Sequence, residues 1–538
     1  MGRRAVSAPL RRVWRPTPWL AAGAAVALAA GGLPLAWLAI TAARDAPSLW
    51  AALVPARMLS LLANTTLLGI VVSLLAGGIG TLLGVLIAKT DLPCRSLFAV
   101  VLTFPLFLPP YIVALGWFSV LGRQGLLAAP LGPGAEVSAS GFFFGLGGAV
   151  LVLTTAYTPI VVHLVRIALG SIDPAIEEAA RLHFRWRRIV WRIDLPLVAP
   201  AVAFAMLITF VLVVGEFGVP AFLRYPVFST EVFTQFAAFL NITAAVAMSL
   251  PLALLVLVGL GVERYLLRHR VRFLARVRAA NGLRIHLERW RAVAGAAAWA
   301  WALLTVVVPL LGLVVRARGL ANYAAAIRGA GASVARSVWM SATAATLMLV
   351  LGLLLAYLVE RRGPKRHEAL DTVLLLLFAA PGTVIGIGLI LIWNRTGLTW
   401  LYGSAAIILV GYIGHFTPLA ARAVGVGLRS LSPGIEEAAR LARVPWGRAL
   451  RRVLLPMVRP ALAGAWFLAF IFCLRDLDLA VTIYPPGAET LPIRVYTLMA
   501  NSPEPAIAAL ALLMVGLTAA VLCVAWGGLA TFRAWNGR

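Results

Sequence analysis

Long apolar runs separated by short polar connections dominate the chain. They fall at about residues 18–40, 60–88, 97–121, 141–165, 197–220 and 241–263, and again at about 291–315, 337–359, 370–394, 402–424, 457–480 and 505–531. Each is close to the roughly 20 residues that an α-helix needs to cross the hydrocarbon core of a bilayer. The pattern predicts an all-α membrane protein of about twelve transmembrane helices, six and six. In the third run, Leu108-Pro109-Pro110 removes two backbone N–H groups and crowds the preceding turn, so that span is expected to break.

Composition supports this class: 62% of residues are hydrophobic and 12% charged, with a mean hydropathy of +0.94. The net charge of +27 does not point to nucleic acid, because the arginines sit in the connections between apolar runs, where one-sided basic loops set orientation. With twelve spans, the N-terminal arginines, Lys89 and Arg95, the stretch from Arg264 to Arg291, and the Arg361-Arg362 and Lys365-Arg366 cluster share one side. Both termini are then expected to be cytoplasmic, with Arg316, Arg318, Arg328 and Arg336 running against the rule. The first run, following Arg3, Arg4, Arg11, Arg12 and Arg15, is long enough to span and is expected to be a retained helix.

The stretch from Arg264 to Arg291 interleaves arginines with Tyr265, Leu266, Phe273 and Leu274, a pattern suited to a helix lying on anionic membrane lipid. It divides the chain into a first half (1–265), a basic linker (266–290) and a second half (291–538). Cys94, Cys473 and Cys523 make no spaced set, so free thiols are expected, with no metal cluster and no cofactor.

Within this plan one polar phrase occurs twice: SIDPAIEEAARL from Ser171 to Leu182, and SLSPGIEEAARL from Ser430 to Leu441. Each follows a Thr-Pro pair and leads through a basic run to Leu-Pro. The offset is 259 residues from Thr158 to Thr417 and from Glu178 to Glu437, but 260 from Pro196 to Pro456, so the first copy hides a one-residue deletion. Asp173 and Ser432 are N-cap types, Pro174 and Pro433 suit the first helical position, and the glutamate pairs Glu177/Glu178 and Glu436/Glu437 fall in the positive first turn. Each copy is expected to be a polar helical hairpin at one membrane face, spanning about 171–196 and 430–456.

With these hairpins, the chain resembles the permease subunit of a type I binding-protein-dependent ABC importer, with both six-helix halves fused. That family's loop carries Glu-Ala-Ala, a glycine further on, and Ile-x-Leu-Pro. Here Glu178-Ala179-Ala180 with Ile193-Asp194-Leu195-Pro196, and Glu437-Ala438-Ala439 with Val453-Leu454-Leu455-Pro456, match it, while Phe184 and Arg443 stand near the place of the glycine. A helix-terminating glycine adopts a left-handed conformation that costs other residues about 1 kcal/mol. Either the turn differs here or the strain is tolerated.

The resemblance implies that Glu177, Glu178, Ala179, Ala180 and Arg181, with Glu436, Glu437, Ala438, Ala439 and Arg440, contact separate ATP-binding subunits, two copies in all. A periplasmic or extracellular substrate-binding protein would dock on the other side. The chain itself is not expected to be an enzyme, since neither Lys89 nor Lys365 follows the glycine that a phosphate loop requires.

Glu216 and Asp476 occupy equivalent positions, each twenty residues beyond its Leu-Pro, with Asp478 two residues on. Ionisable groups within spans usually face an interior or aqueous path. They are expected either to line a pathway favouring a cation, or to be structural, with Arg475 neutralising Asp476 and Glu216 at a wet helix end. His163 and its counterpart Arg422 are expected to be interfacial anchors. The stretch from Thr482 to Leu498 looks like that of fused ferric iron permeases; thiamine, phosphonate and polyamine importers share parts of the plan. Two rival classes remain: a secondary transporter, which has no need of duplicated Glu-Ala-Ala loops, and a membrane scaffold.

Overall fold

The computed structural model describes residues 18–44, 47, 55–122, 124–126, 130, 132–267, 284–360, 364–499 and 501–536. Most of the expected linker helix, residues 268–283, lies outside the described residues, as do the basic positions before residue 18 and the Arg361-Arg362 pair.

The first half runs α1 (Pro18–Arg44), α2 (Pro55–Lys89), α3 (Arg95–Phe107), α4 (Pro110–Leu121), α5 (Pro133–Phe143), α6 (Leu146–Leu169), α7 (Pro174–Arg181), α8 (Trp186–Ile189), α9 (Leu195–Gly215), α10 (Gly218–Phe222), α11 (Phe228–Ala237) and α12 (Ile242–Leu267). The second runs α13 (Arg291–Ala302), α14 (Val308–Ala317), α15 (Leu320–Glu360), α16 (Pro364–Ala379), α17 (Gly382–Trp393), α18 (Thr399–Tyr402), α19 (Ala406–Ser430), α20 (Pro433–Leu441), α21 (Trp446–Ala449), α22 (Arg459–Arg475), α23 (Asp478–Ile483), α24 (Leu491–Leu498) and α25 (Glu504–Asn536). A single wide turn, Val190–Asp194 in one half and Leu450–Leu454 in the other, joins the second arm of each hairpin to the next span.

Among the described residues, nine helices are long and apolar enough to cross a membrane, and three bent pairs bring the number to as many as twelve. The spans fall where the apolar runs predict. The third span of each half is broken, by 101° between α3 and α4 and by 96° between Leu370–Ala379 and α17. Pro109 and Pro381 sit at the two breaks in extended backbone and start the second piece of each span. A proline there cannot donate to the preceding turn, and the residue before it is pushed out of helical geometry.

In each half the core is a bundle of the second, fourth and fifth spans: α2, α6 and α9 in one, α15, α19 and α22 in the other. The first span of each half does not join its own bundle. Helix α1 packs against α15, α17 and α19 of the second half, while α14 packs against α4 of the first. Apolar burial drives little association in lipid, so helix pairing there depends on close packing of small residues. A Cβ on Gly414 would come within 2.5 Å of the Ala30 carbonyl oxygen, and one on Gly116 within 2.6 Å of the Pro309 carbonyl oxygen. Glycine at these two positions lets the exchanged helices lie against their hosts.

A short parallel bridge also ties the halves where the second begins. The Ile285 N–H donates to the Lys89 carbonyl (2.7 Å), and the Asp91 N–H donates to the Ile285 carbonyl (3.2 Å). The Leu287 N–H then donates to the Asp91 carboxylate (3.1 Å). That bond is the main reason the Asp91 carboxyl is held below its ordinary range, with His286 and Arg291 adding to it.

Candidate functional site: two polar hairpins and an acidic cavity

With Leu370–Ala379 and α17 counted as one bent span, six crossings (α9, α12, α13–α14, α15, α16–α17, α19) separate the first hairpin from the second, which puts both on one face of the molecule. Their first helices start as the sequence predicts. The Asp173 carboxylate accepts the Ala175 N–H at 3.0 Å and the Ser432 hydroxyl accepts the Gly434 N–H at 3.3 Å, caps worth about 1 kcal/mol each.

Each helix then divides its polar residues between two faces. Glu178, Ala179 and Arg181 are exposed and Ala180 half-buried; in the second copy Glu437 and Ala438 are exposed, and Ala439 and Arg440 half-buried. Glu177 departs from the expectation that it meets a partner. It is fully buried and ion-paired with the equally buried Lys89 at the end of α2. Glu436 is half-buried and accepts a hydrogen bond from the Tyr357 hydroxyl at 3.3 Å. Successive helical positions lie about 100° apart, so of two adjacent glutamates one can face the core while the other faces out. Leu182 and Leu441, which the sequence reading passed over, stand out at 81% and 86% exposed. Their signal was present: both copies of the polar phrase end on the same leucine.

The glycine question receives two answers. In the second copy Arg443 adopts φ 54°, with its N–H donating to the Arg440 carbonyl and the Val444 N–H to the Ala439 carbonyl (2.9 and 3.0 Å). That is the paired bonding of a left-handed helix terminus, made here by an arginine. In the first copy the offset between halves changes from 259 at Arg181 and Arg440 to 260 at Trp186 and Trp446, so the missing residue lies in this turn. The Phe184 N–H bonds to the Ala180 carbonyl (2.9 Å), and Phe184 is not among the described residues of positive φ.

Between the halves, at the far side from the hairpins, Glu216, Asp476 and Asp478 line one cavity of about 90 Å³ together with Tyr157, His415 and Arg475. The two helix breaks at Pro109–Pro110 and Pro381–Gly382 open onto it. Glu216 and Asp476 end α9 and α22 in matching extended conformations (φ −68°, ψ 128° and φ −67°, ψ 127°). The Tyr157 hydroxyl donates to Glu216 at 2.9 Å, and Asp476 accepts the Ala480 N–H at 3.0 Å, holding the start of α23. Arg475 donates to the Leu106 carbonyl and lies over the Phe472 ring. Asp476 therefore supports a helix start and lines the cavity at once.

A second cavity, of about 560 Å³, lies on the hairpin side and shares Val211, Leu212, Phe378 and Ala379 with the first. It is mostly apolar, with Arg422 paired to Asp371 at 3.0 Å on its wall. Arg422 is thus a cavity residue, while His163 meets the Thr103 hydroxyl at 2.6 Å.

The family described as "Binding-protein-dependent transport system inner membrane component" matches residues 80–272 and again 348–531. The chain belongs to this family. Each matched stretch of the transport component holds one hairpin and one acid-bearing helix end, and the exchanged first spans fall outside both. The chain is 25% identical to the putative ferric transport system permease protein FbpB 1 of Haemophilus influenzae over 417 residues, covering 73% of this chain and 65% of that one. It is 25% identical to the ferric transport system permease protein FbpB of Actinobacillus pleuropneumoniae over 402 residues, 70% of this chain and 58% of the other. It thus spans less than two thirds of the length of these two relatives. The putrescine transport system permease protein PotI of Escherichia coli is 31% identical over 202 residues, 36% of this chain and 70% of that protein.

Proposed function

We propose that this chain is the membrane-spanning permease of an ATP-driven importer and that ferric iron is its substrate. Substrate would pass between the two halves, entering at the acidic cavity and leaving through the larger cavity on the hairpin side. The single observation that carries the reading is the duplicated hairpin: two helices 259 residues apart, capped alike, present Glu178-Ala179 with Leu182 and Glu437-Ala438 with Leu441 on one face of the molecule. Such a pair suits two ATPase subunits, one under each hairpin, the exposed leucines filling a pocket on each and the glutamates meeting basic residues.

The hairpin side is the cytoplasmic side in this reading, with both termini on it and the chain in the bacterial inner membrane. A binding protein would deliver substrate to the opposite face. Iron as substrate is supported by the ferric permease relatives and by three carboxylates lining the entry cavity, since a hard trivalent cation seeks oxygen donors. The chain contributes no catalytic group of its own.

The test is co-purification of the full chain with its candidate ATPase, followed by ATP hydrolysis in lipid with a ferric-loaded binding protein. Stimulation by the ferric form, and none by the empty protein, thiamine or putrescine, is the expected result. A complex that forms and ignores iron removes the substrate assignment. Failure of the candidate ATPase to bind removes the assignment of the hairpins as its docking sites.

A further inference from the structure

The first hairpin is fastened to the membrane core by charge, and the arrangement contains one carboxylate more than the pairing needs. Lys89 and Glu177 form an ion pair with both side chains buried. The second carboxylate oxygen of Glu177, and both oxygens of Asp194, are buried without a hydrogen-bond partner. Asp194 sits at the end of the wide turn Val190–Asp194 that follows the hairpin, and the charges acting on it are those of Glu177 and Lys89. One ammonium thus lies in the field of two buried carboxylates and contacts only Glu177.

The second half does the same task without charge on the core side. The stretch from Gly84 to Lys89 aligns with Gly352 to Tyr357, so Tyr357 stands where Lys89 does, and Leu454 stands where Asp194 does. The Tyr357 hydroxyl donates to Glu436, its ring lies 5.7 Å from that of Trp446, and Leu454 is buried. Leucine therefore fills this position adequately for packing. A buried carboxylate in its place is costly unless a cation is available to it.

We propose that Lys89 is shared between Glu177 and Asp194, holding α7 through Glu177 in the conformation seen here and turning to Asp194 when α7 swings away. The spare acid keeps the buried ammonium paired throughout the movement. Lys89 and Asp194 are then positioning residues, and the first hairpin hangs on an exchangeable tether while the second hangs on a fixed aromatic one. This rests on reading α7 as the ATPase-facing helix, but its test does not need the ATPase.

The measurement is hydrogen–deuterium exchange of the α7 amides in the full chain in lipid nanodiscs, without partners. Asp194→Leu removes the competitor for Lys89, so α7 exchange slows by about tenfold, as expected when a minor untethered state is lost. Asp194→Asn, which keeps the volume, gives the same slowing and serves if the leucine variant does not fold. Glu177→Gln in the Asp194→Leu background strands the ammonium, and α7 exchange rises on the order of 100-fold, whereas Glu177→Gln alone, with Asp194 still available, raises it far less. Exchange that is unchanged or faster in both Asp194 variants overturns the proposal, as does an equal effect of Glu177→Gln with and without Asp194. Loss of ATPase binding with the exchange pattern intact would instead remove the functional reading and leave the tether standing.

Discussion

The hairpin of the first half and that of the second present the same outward face and are anchored by different chemistry. Glu178, Ala179 and Leu182 on one, and Glu437, Ala438 and Leu441 on the other, occupy matched exposed positions. Beneath them, a buried Lys89–Glu177 ion pair faces a Tyr357–Glu436 hydrogen bond, and a shortened turn at Phe184 faces a left-handed arginine at Arg443. If the two hairpins meet like partners, as proposed, the surface those partners would touch has been kept, while the support behind it has diverged and still holds the helix in place.

The sharpest break in this comparison is at the anchors. Lys89→Met leaves two buried carboxylates without their cation and should destabilise the first half by about 3–5 kcal/mol, whereas Tyr357→Phe removes one hydrogen bond and should cost about 1 kcal/mol. Thermal unfolding of the two variants in the same detergent measures the gap; equal losses would mean that the tethers are interchangeable.

Next in size is the acidic cavity, where the first half supplies one acid and the second two. Replacing Glu216, Asp476 and Asp478 together by amides should lower iron transport by on the order of tenfold or more in proteoliposomes. Unchanged transport would leave Asp476 with its helix-supporting role alone and Glu216 with its bond from Tyr157. Because Asp476 holds the start of α23 and Glu216 is held by Tyr157, circular dichroism must show the variant to be helical before the result counts.

At the exposed face, Glu178→Lys and Glu437→Lys should each leave stability within about 0.5 kcal/mol and weaken ATPase stimulation several-fold. A larger defect from one of them would extend the asymmetry of the anchors to the partner contact; identical defects would confine it to the interior. The smallest effect concerns the turns. Arg443→Gly relieves a left-handed residue and should stabilise the second hairpin by about 1 kcal/mol. Phe184→Gly, at a position without that backbone geometry, should give no gain, and slower amide exchange in α20 but not in α7 is the signature to look for.

Much of this molecule could be read locally. The break at Pro109 follows from the chemistry of one residue, the caps at Asp173 and Ser432 from side chains two residues from the amides they accept, and the spans from the length of apolar runs. Other features could not. Glu177 and Glu178 are the same residue type side by side, and nothing near them in the sequence says which turns inward. Arg443 and Phe184 both stood out as departures from a glycine, yet one keeps the left-handed turn and the other avoids it through a deletion that the offset alone hinted at.

The class, the positions of as many as twelve spans among the described residues, the two hairpins with their caps, and the acids at two matched helix ends were all legible in the chain's own pattern. These depend on hydropathy and on interactions within a few residues, which a repeated pattern reports directly. That α1 and α14 cross to the opposite half, that Glu177 is an anchor while Glu178 is exposed, and that Glu216, Asp476 and Asp478 share one cavity came from the packing of the folded chain. Each of those facts depends on residues far apart in the chain, Lys89 and Glu177 being 88 positions apart, and burial and pairing at such distances are set by which surfaces pack together, which no local rule encodes.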